Sequence, residues 1–217
     1  MRRLLPLVLL LAACRSASIG GDAKPERSQS ASARRQIGIV PGGVGAGTPL
    51  APKSGHELAA FAAGCFWGVE DNFRQVPGVV ATAVGYTGGK KERPTYEDVC
   101  SHTTGHAETV LVEFDPAKVT YAQLVTLFFA NHDPTTMNRQ GPDVGDQYRS
   151  DIFTFNEAQA TQARAVMAAT EKERGERFAT RVDPIAAFWK AEEYHQQYDE
   201  KTGTHSCPIP KGLPQGT

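Results

Sequence analysis

Cys65 stands between Gly64 and Phe66-Trp67-Gly68, where a helical pattern begins. A thiol of ordinary acidity is only about 3% thiolate at pH 7, and the thiolate is the nucleophile. Exposed N–H groups and the dipole at a helix N-terminus favour that anion. The two aromatic neighbours place apolar surface beside the sulfur, which suits a small uncharged group such as a methyl thioether derivative. The same residues also read as a structural cysteine among core aromatics, the commoner fate of a lone Cys.

Glu108 is the second candidate. In the pattern Glu108 to Phe114, residues 108, 110, 112 and 114 share one face of a strand. An otherwise apolar face therefore begins with a carboxyl group. Burial would raise its pKa and keep it protonated near neutrality, able to donate a proton; a head left in solvent at the strand's end is the alternative. Tyr96 and Tyr148 fall in two long irregular stretches, where their hydroxyls can bind a substrate oxygen. Asp143 shares the second stretch and either orients a tyrosine or caps a turn. Cys207 lies in a Gly- and Pro-rich tail able to swing toward another thiol. Whether a disulfide forms depends on spatial reach.

The elements that must hold these residues follow from periodicity. Glu57–Ala63 reads as a strand, and Phe66, Val69, Phe73 and Val76 mark a helix stopped by Pro77-Gly78. Val79–Val84 is a β-branched strand, Gly85–Val99 a long loop, and Glu108–Phe114 an alternating strand. Thr120 caps a helix carrying Leu124, Val125, Phe128 and Phe129, ended by Asp133-Pro134. Pro134–Gln147 reads as irregular and Ile152–Phe155 as a strand. Asn156 with Gln159 predicts a capping box for a long helix ending near Gly175. Phe178–Val182 is a further strand, with helix around Glu192–Tyr198 and an irregular tail. Alternating elements with long loops predict an α+β two-layer domain.

Composition excludes more than it identifies. Among 217 residues, 23 Lys and Arg face 24 Asp and Glu, a net charge of −1 that offers no whole-protein field for nucleic acid. Hydrophobic residues are 40% of the chain, too many for a disordered one, and four cysteines are too few for a disulfide scaffold. Residues 1–13 open with Arg2-Arg3 and a short apolar run, Leu4 to Leu11, which predicts a secretory signal peptide. Leu11-Ala12-Ala13-Cys14 resembles the bacterial lipobox, so Cys14 is the expected lipidation site and first mature residue. Residues 14–52 then form a lipid-anchored flexible linker with a reach of about 35 Å, and 53–217 the catalytic domain. The expected location is extracytoplasmic, anchored to a bacterial membrane by acyl chains; Arg15 after the anchor points to the outer membrane and the periplasm.

Seven blocks together resemble the peptide methionine sulfoxide reductase A family: Gly64-Cys65-Phe66-Trp67-Gly68-Val69-Glu70, Gly85-Tyr86-Thr87-Gly88-Gly89, Pro94-Thr95-Tyr96, Thr104-Gly105-His106-Ala107-Glu108, Asn131-His132-Asp133-Pro134, Gln147-Tyr148-Arg149-Ser150 and His195-Gln196-Gln197-Tyr198. They occur in the family's order and cover most of residues 58–207. The resemblance implies a two-layer α/β sandwich with a ferredoxin-like plait core, long irregular loops and a C-terminal tail.

It also implies roles. Cys65 would be the nucleophile, with Phe66 and Trp67 holding the substrate's methyl group. Glu108 would protonate the sulfoxide oxygen, aided by Tyr96 and Tyr148, with Asp143 supporting the pocket. Cys207 would be the recycling cysteine, forming a disulfide with Cys65, and Cys100 a buried, inert one; Glu70 would be a helix residue outside the site. The implied substrates are the S epimer of methionine sulfoxide in oxidised proteins or peptides and as the free amino acid. The implied partner is a thioredoxin-like reductant, with no cofactor, no metal, no nucleic acid and a monomeric chain. Two departures stand out. His102 follows Ser101 where the family has glycine, and His205-Ser206 precede Cys207 where relatives have Gly-Tyr; with Cys207 the only tail cysteine, a one-step relay is expected.

Two other classes compete. A cysteine hydrolase would need His106, His132 or His195 beside the Cys65 thiol. A binding lipoprotein without catalysis would leave Cys65 unreactive. Zinc has no Cys-x-x-Cys to support it.

Overall fold

The computed structural model describes residues 52–205. The expected signal peptide, Cys14, nearly all of the linker, and Cys207 lie outside the described residues.

Strand β1 (Glu57–Ala63) leads into α1 (Phe66–Arg74), and β2 (Val79–Thr87) runs on to the short α2 (Tyr96–Cys100). Then come β3 (Ala107–Phe114), α3 (Tyr121–Ala130), a small hairpin of β4 (Arg139–Gln140) and β5 (Asp143–Val144), and β6 (Ser150–Thr154). The chain closes with α4 (Glu157–Arg174), β7 (Arg181–Pro184), β8 (Trp189–Lys190) and α5 (Tyr198–Thr202). The main sheet has the order β7-β6-β1-β3-β2-β8. Its four inner strands, with α1 and α3 in the crossovers, make the βαββαβ order of a ferredoxin-like plait. Pairings are antiparallel except β6–β7.

The main core lies on the helix side: Phe61, Phe66, Phe73, Val110, Val112, Leu124 and Phe128 pack together, with Phe61 stacked on Phe73 at 4.7 Å. A smaller core of Leu58, Ala60, Leu111, Phe153 and Phe188 covers the opposite face. Both faces of β3 are therefore buried along its whole length, where the sequence pattern predicted one. Lying between two neighbours and under two apolar layers, β3 has no solvent side.

Several expected boundaries shift for local reasons. Gly85-Tyr86-Thr87 belong to β2, not to a loop. Gly85 is there because a Cβ would collide with the Trp189 carbonyl and the Phe188 ring of the neighbouring segment. The same expected loop contains α2, capped by reciprocal bonds between Thr95 and Asp98. Residues 134–147 hold the β4–β5 hairpin, whose strands are too short to show a period. Asn156 accepts from Gln159 N–H as predicted, but the Gln159 side chain bonds Phe155 N–H and the Leu58 carbonyl instead of closing the box. β7 begins at Arg181 because Phe178 and Ala179 N–H groups are taken by Glu171 and Pro134.

The stretch around 192–198 is broken where helix was expected. A 3₁₀ turn at Glu193–His195 ends before Gln197, which is left-handed at φ 49°. The buried amide of Gln196 accepts from Val84 N–H and donates to the Val84 carbonyl, standing in for a further strand. Gln197 donates to the buried carboxylate of Glu70 from both its backbone and its side chain. Thus Glu70 clamps the C-terminal segment onto α1.

Candidate active site

The site lies where the C-terminal ends of β1 and β2 meet the N-terminal ends of β3 and β6; Tyr86 pairs with Glu108 and Ala63 with Ser150. Cys65 is the N-cap of α1 and is half-buried. The helix starts here because Gly64 turns the chain out of β1 at φ +95°, in the left-handed region that favours glycine. A Cβ on Gly64 would lie 2.6 Å from Gln140 Cγ, so the β4–β5 hairpin packs directly on the residue before the thiol. Gln140 fixes that hairpin by accepting from Asp133 N–H at 3.2 Å and donating to the Asp133 carbonyl at 3.1 Å.

Glu108 is 2% exposed, and its Oε2 accepts the Phe66 N–H at 3.1 Å. Burial pushes its carboxyl up to about 8; the Phe66 N–H opposes this and the Asp143 carboxylate adds to it. The group is thus a proton donor at neutral pH, settling the choice between a buried and a solvated head.

Tyr96 and Tyr148 come from two separate short helical segments. Tyr96 is the first residue of α2, not a loop residue, and its N–H donates to Glu192 at 2.9 Å. Burial raises its hydroxyl pKa, as do the Cys100 thiol beside it and the charge of Glu108. Tyr148 ends a 3₁₀ turn, Asp146–Tyr148, and burial followed by Glu108, Asp143, Cys100 and Cys65 pushes it up to about 12. Both phenols stay protonated as donors. Asp143 sits in β5 of the hairpin and acts on both Glu108 and Tyr148. Arg149 anchors the Tyr148 turn: it donates to Asp151 at 3.1 Å inside the protein and to the Asp146 carbonyl at 3.0 Å.

Phe66 is buried against Tyr86, at 5.9 Å, and His195, at 5.1 Å. Trp67 stacks on Tyr198 at 3.8 Å between ring centroids, and its indole N–H donates to His195 Nδ1 at 3.0 Å. Cys65, Phe66, Trp67, Glu108, Tyr96, Tyr148 and Asp143 therefore converge, while Cys14 and Cys207 lie outside the described residues. Cys100, expected to be buried, is half-buried beside Tyr96, because α2 is a surface helix of five residues. His102 takes the left-handed conformation, φ 59°, which explains why glycine suits that position. Its Nδ1 pairs with Gln147 Oε1 at 2.7 Å, joining the end of α2 to the Tyr148 turn.

Sequence reasoning passed over the support residues. Tyr86 and Tyr198 were legible only as parts of motifs, Glu192 only as the start of an expected helix, and Gln140 had no signal beyond lying near Asp143. Neither nitrogen of His106 or His132 is left for a thiol: His106 pairs with Gly89 N–H and the Lys91 carbonyl, and His132 with the Phe128 carbonyl and Ser150. Among the described residues, no group of three or more His, Cys, Asp or Glu is placed to hold a metal ion.

With this geometry in hand, the comparisons with known proteins are specific. The family model described as peptide methionine sulfoxide reductase matches residues 57–214. A peptide methionine sulfoxide reductase MsrA of Geobacter sulfurreducens is 57% identical over 155 residues, covering 70% of this chain and 94% of its own. The reduced form of Mxr1 from Saccharomyces cerevisiae superposes with a TM-score of 0.69 at 34% identity, over 75% of this chain and 98% of that one. Mxr1 in complex with Trx2 aligns at 26% identity and a TM-score of 0.50, over 75% and 98% of the two chains.

Proposed function

The chain belongs to the peptide methionine sulfoxide reductase family, and on that premise we propose how its residues reduce the S epimer of methionine sulfoxide, in proteins, in peptides and as the free amino acid. The observation that carries the reading is the buried, protonated Glu108 bonded to the N–H that follows Cys65.

Phe66 and Trp67 form the apolar wall for the substrate's methyl group. The sulfoxide oxygen faces three O–H donors, Glu108, Tyr96 and Tyr148. The Cys65 thiolate attacks the sulfoxide sulfur while Glu108 supplies a proton to the oxygen. The oxygen passes to Cys65 Sγ as the substrate's S–O bond and the transient bond between the two sulfurs break, so methionine leaves as the thioether and Cys65 becomes a sulfenic acid: the sulfoxide is reduced by two electrons and the thiol oxidised by two. Cys207, inside the span matched by the family model, attacks the sulfenic sulfur; water leaves and a Cys65–Cys207 disulfide forms. A thioredoxin-like dithiol restores both thiols by exchange, and the pairing of Mxr1 with Trx2 supports that choice of reductant.

The anchor is part of the same proposal. The basic start, short apolar run and Leu11-Ala12-Ala13-Cys14 support lipidation at Cys14 and a tethered catalytic domain, 53–217, outside the cytoplasm. Repair of oxidised envelope proteins fits that placement.

The test is direct. Methionine sulfoxide peptides of each epimer, incubated with the protein and dithiothreitol, are weighed by mass spectrometry. The expected result is loss of one oxygen from the S epimer alone; loss from neither, or from the R epimer, contradicts the proposal.

A further inference from the structure

His195 is 1% exposed and lies against the aromatic wall of the pocket. Its Nδ1 accepts the Trp67 indole N–H at 3.0 Å. Four aromatic rings surround it: Phe66 at 5.1 Å, Trp67 at 5.6 Å, Tyr96 at 4.5 Å and Tyr194 at 4.1 Å. Because an indole N–H only donates, Nδ1 must be the bare nitrogen and Nε2 must carry the proton of the neutral ring. That Nε2 is buried without a hydrogen-bond partner and lies 4.0 Å from Glu192 Oε2. The same Glu192 carboxylate accepts the Tyr96 N–H at 2.9 Å and the Tyr86 hydroxyl at 3.0 Å.

One line of groups thus runs from the methyl wall to an oxygen donor: Trp67, His195, Glu192 and the backbone of Tyr96. A tryptophan half-open to the pocket has two ways to lose its place. Its ring can swing out, or its N–H can be stranded without an acceptor, which is unfavourable for a buried donor. The stack on Tyr198 opposes the first and His195 the second. The imidazole also fills the space behind Tyr96, so a single buried side chain sets the spacing between the two walls.

We propose that His195 is a positioning residue for the substrate's methyl group, acting through the acceptor it offers to the Trp67 indole. The inference rests on the reading of Trp67 as the methyl wall. His195 touches no reacting atom in this role, so its loss should weaken substrate binding more than it slows the chemistry.

The test compares variants on N-acetylmethionine S-sulfoxide with dithiothreitol as reductant. Asparagine places an acceptor oxygen where Nδ1 stands, and glutamine places one where Nε2 stands. His195→Leu is expected to raise KM about tenfold, the worth of about 1.4 kcal/mol, with kcat changed less than threefold. His195→Asn should lie within threefold of the parent protein and His195→Gln should resemble His195→Leu. In the Trp67→Phe background, which has no indole N–H, His195→Leu should add nothing further. The proposal is overturned if asparagine is no better than glutamine, a comparison that stands even where the leucine variant does not fold. It is also overturned if His195→Leu keeps its full effect in the Trp67→Phe protein. A Trp67→Phe protein with unchanged KM instead contradicts the methyl-wall reading itself, so the two failures are distinguishable.

Discussion

The Phe66 N–H and the Glu108 carboxyl meet at 3.1 Å across 42 positions of sequence. Since an N–H only donates, the oxygen facing it, Oε2, is the acceptor. The neutral acid still keeps one O–H to donate to a substrate. One bond joins the helix capped by Cys65 to the strand that carries Glu108, so the proposed nucleophile and proton donor keep one spacing.

That arrangement fixes a pH dependence. Glu108 is protonated in the folded protein until about pH 8, whereas in the unfolded chain it ionises near 4.5. Below 4.5 both states hold the proton; between the two values only the folded state does. Its contribution to stability is therefore full at low pH and is lost as pH rises toward 8, by on the order of 3–5 kcal/mol. Glu108→Gln keeps an acceptor for Phe66 and removes the ionisation. It should lose at least a hundredfold in rate, lose the alkaline limb near pH 8, and unfold at higher urea than the parent protein above that pH. Rate profiles and urea melts between pH 5 and 9 check all three.

Gly64→Ala should be among the most damaging small changes. The new Cβ would press on the Gln140 side chain in a backbone conformation that disfavours L residues. The hairpin bearing Asp143 must retreat from Cys65. A stability loss of about 2 kcal/mol or more is expected, with a fall in rate larger than for Gly175→Ala, whose Cβ would meet open space. Thermal melts and single-turnover rates separate the two.

Arg149 and Asp151 make a second testable pair. Asp151 is fully buried and pushed up to about 6 by burial, with Arg149 holding it down. Removing the guanidinium alone, as in Arg149→Met, leaves the carboxylate only the half-exposed Arg181 at 3.9 Å and should cost about 3 kcal/mol. It should also slow turnover, because Arg149 anchors the turn that carries Tyr148. Adding Asp151→Asn should recover part of the stability and little of the rate, measured by urea unfolding and by single turnover.

The βαββαβ core was legible because its elements obey strong periods: Phe66, Val69 and Phe73 mark α1, and Thr120 and Asn156 mark helix starts. What escaped was set by tertiary contacts or by very short elements. The Thr95–Asp98 cap was present in the sequence, but a five-residue helix shows no amphipathic repeat. Gln196 breaks an expected helix because its amide pairs with Val84, a partner 112 positions away. The Cys65 and Glu108 candidates could be picked from residue type and pattern, whereas their distance could not. His195 illustrates the limit: as a sequence residue it was one of three imidazoles offered to a hydrolase, and only its contact with Trp67 assigns it a place.

The most direct test of the central claim is the intact mass of the protein after one turnover on free methionine S-sulfoxide without reductant. The parent protein should release one methionine per chain and lose two hydrogens, with Cys65 linked to Cys207 by peptide mapping. Cys207→Ser should release the same one methionine and gain one oxygen on Cys65, and Cys65→Ser should release none. Methionine release by Cys65→Ser, or a parent protein that gains oxygen without forming the disulfide, would contradict the account.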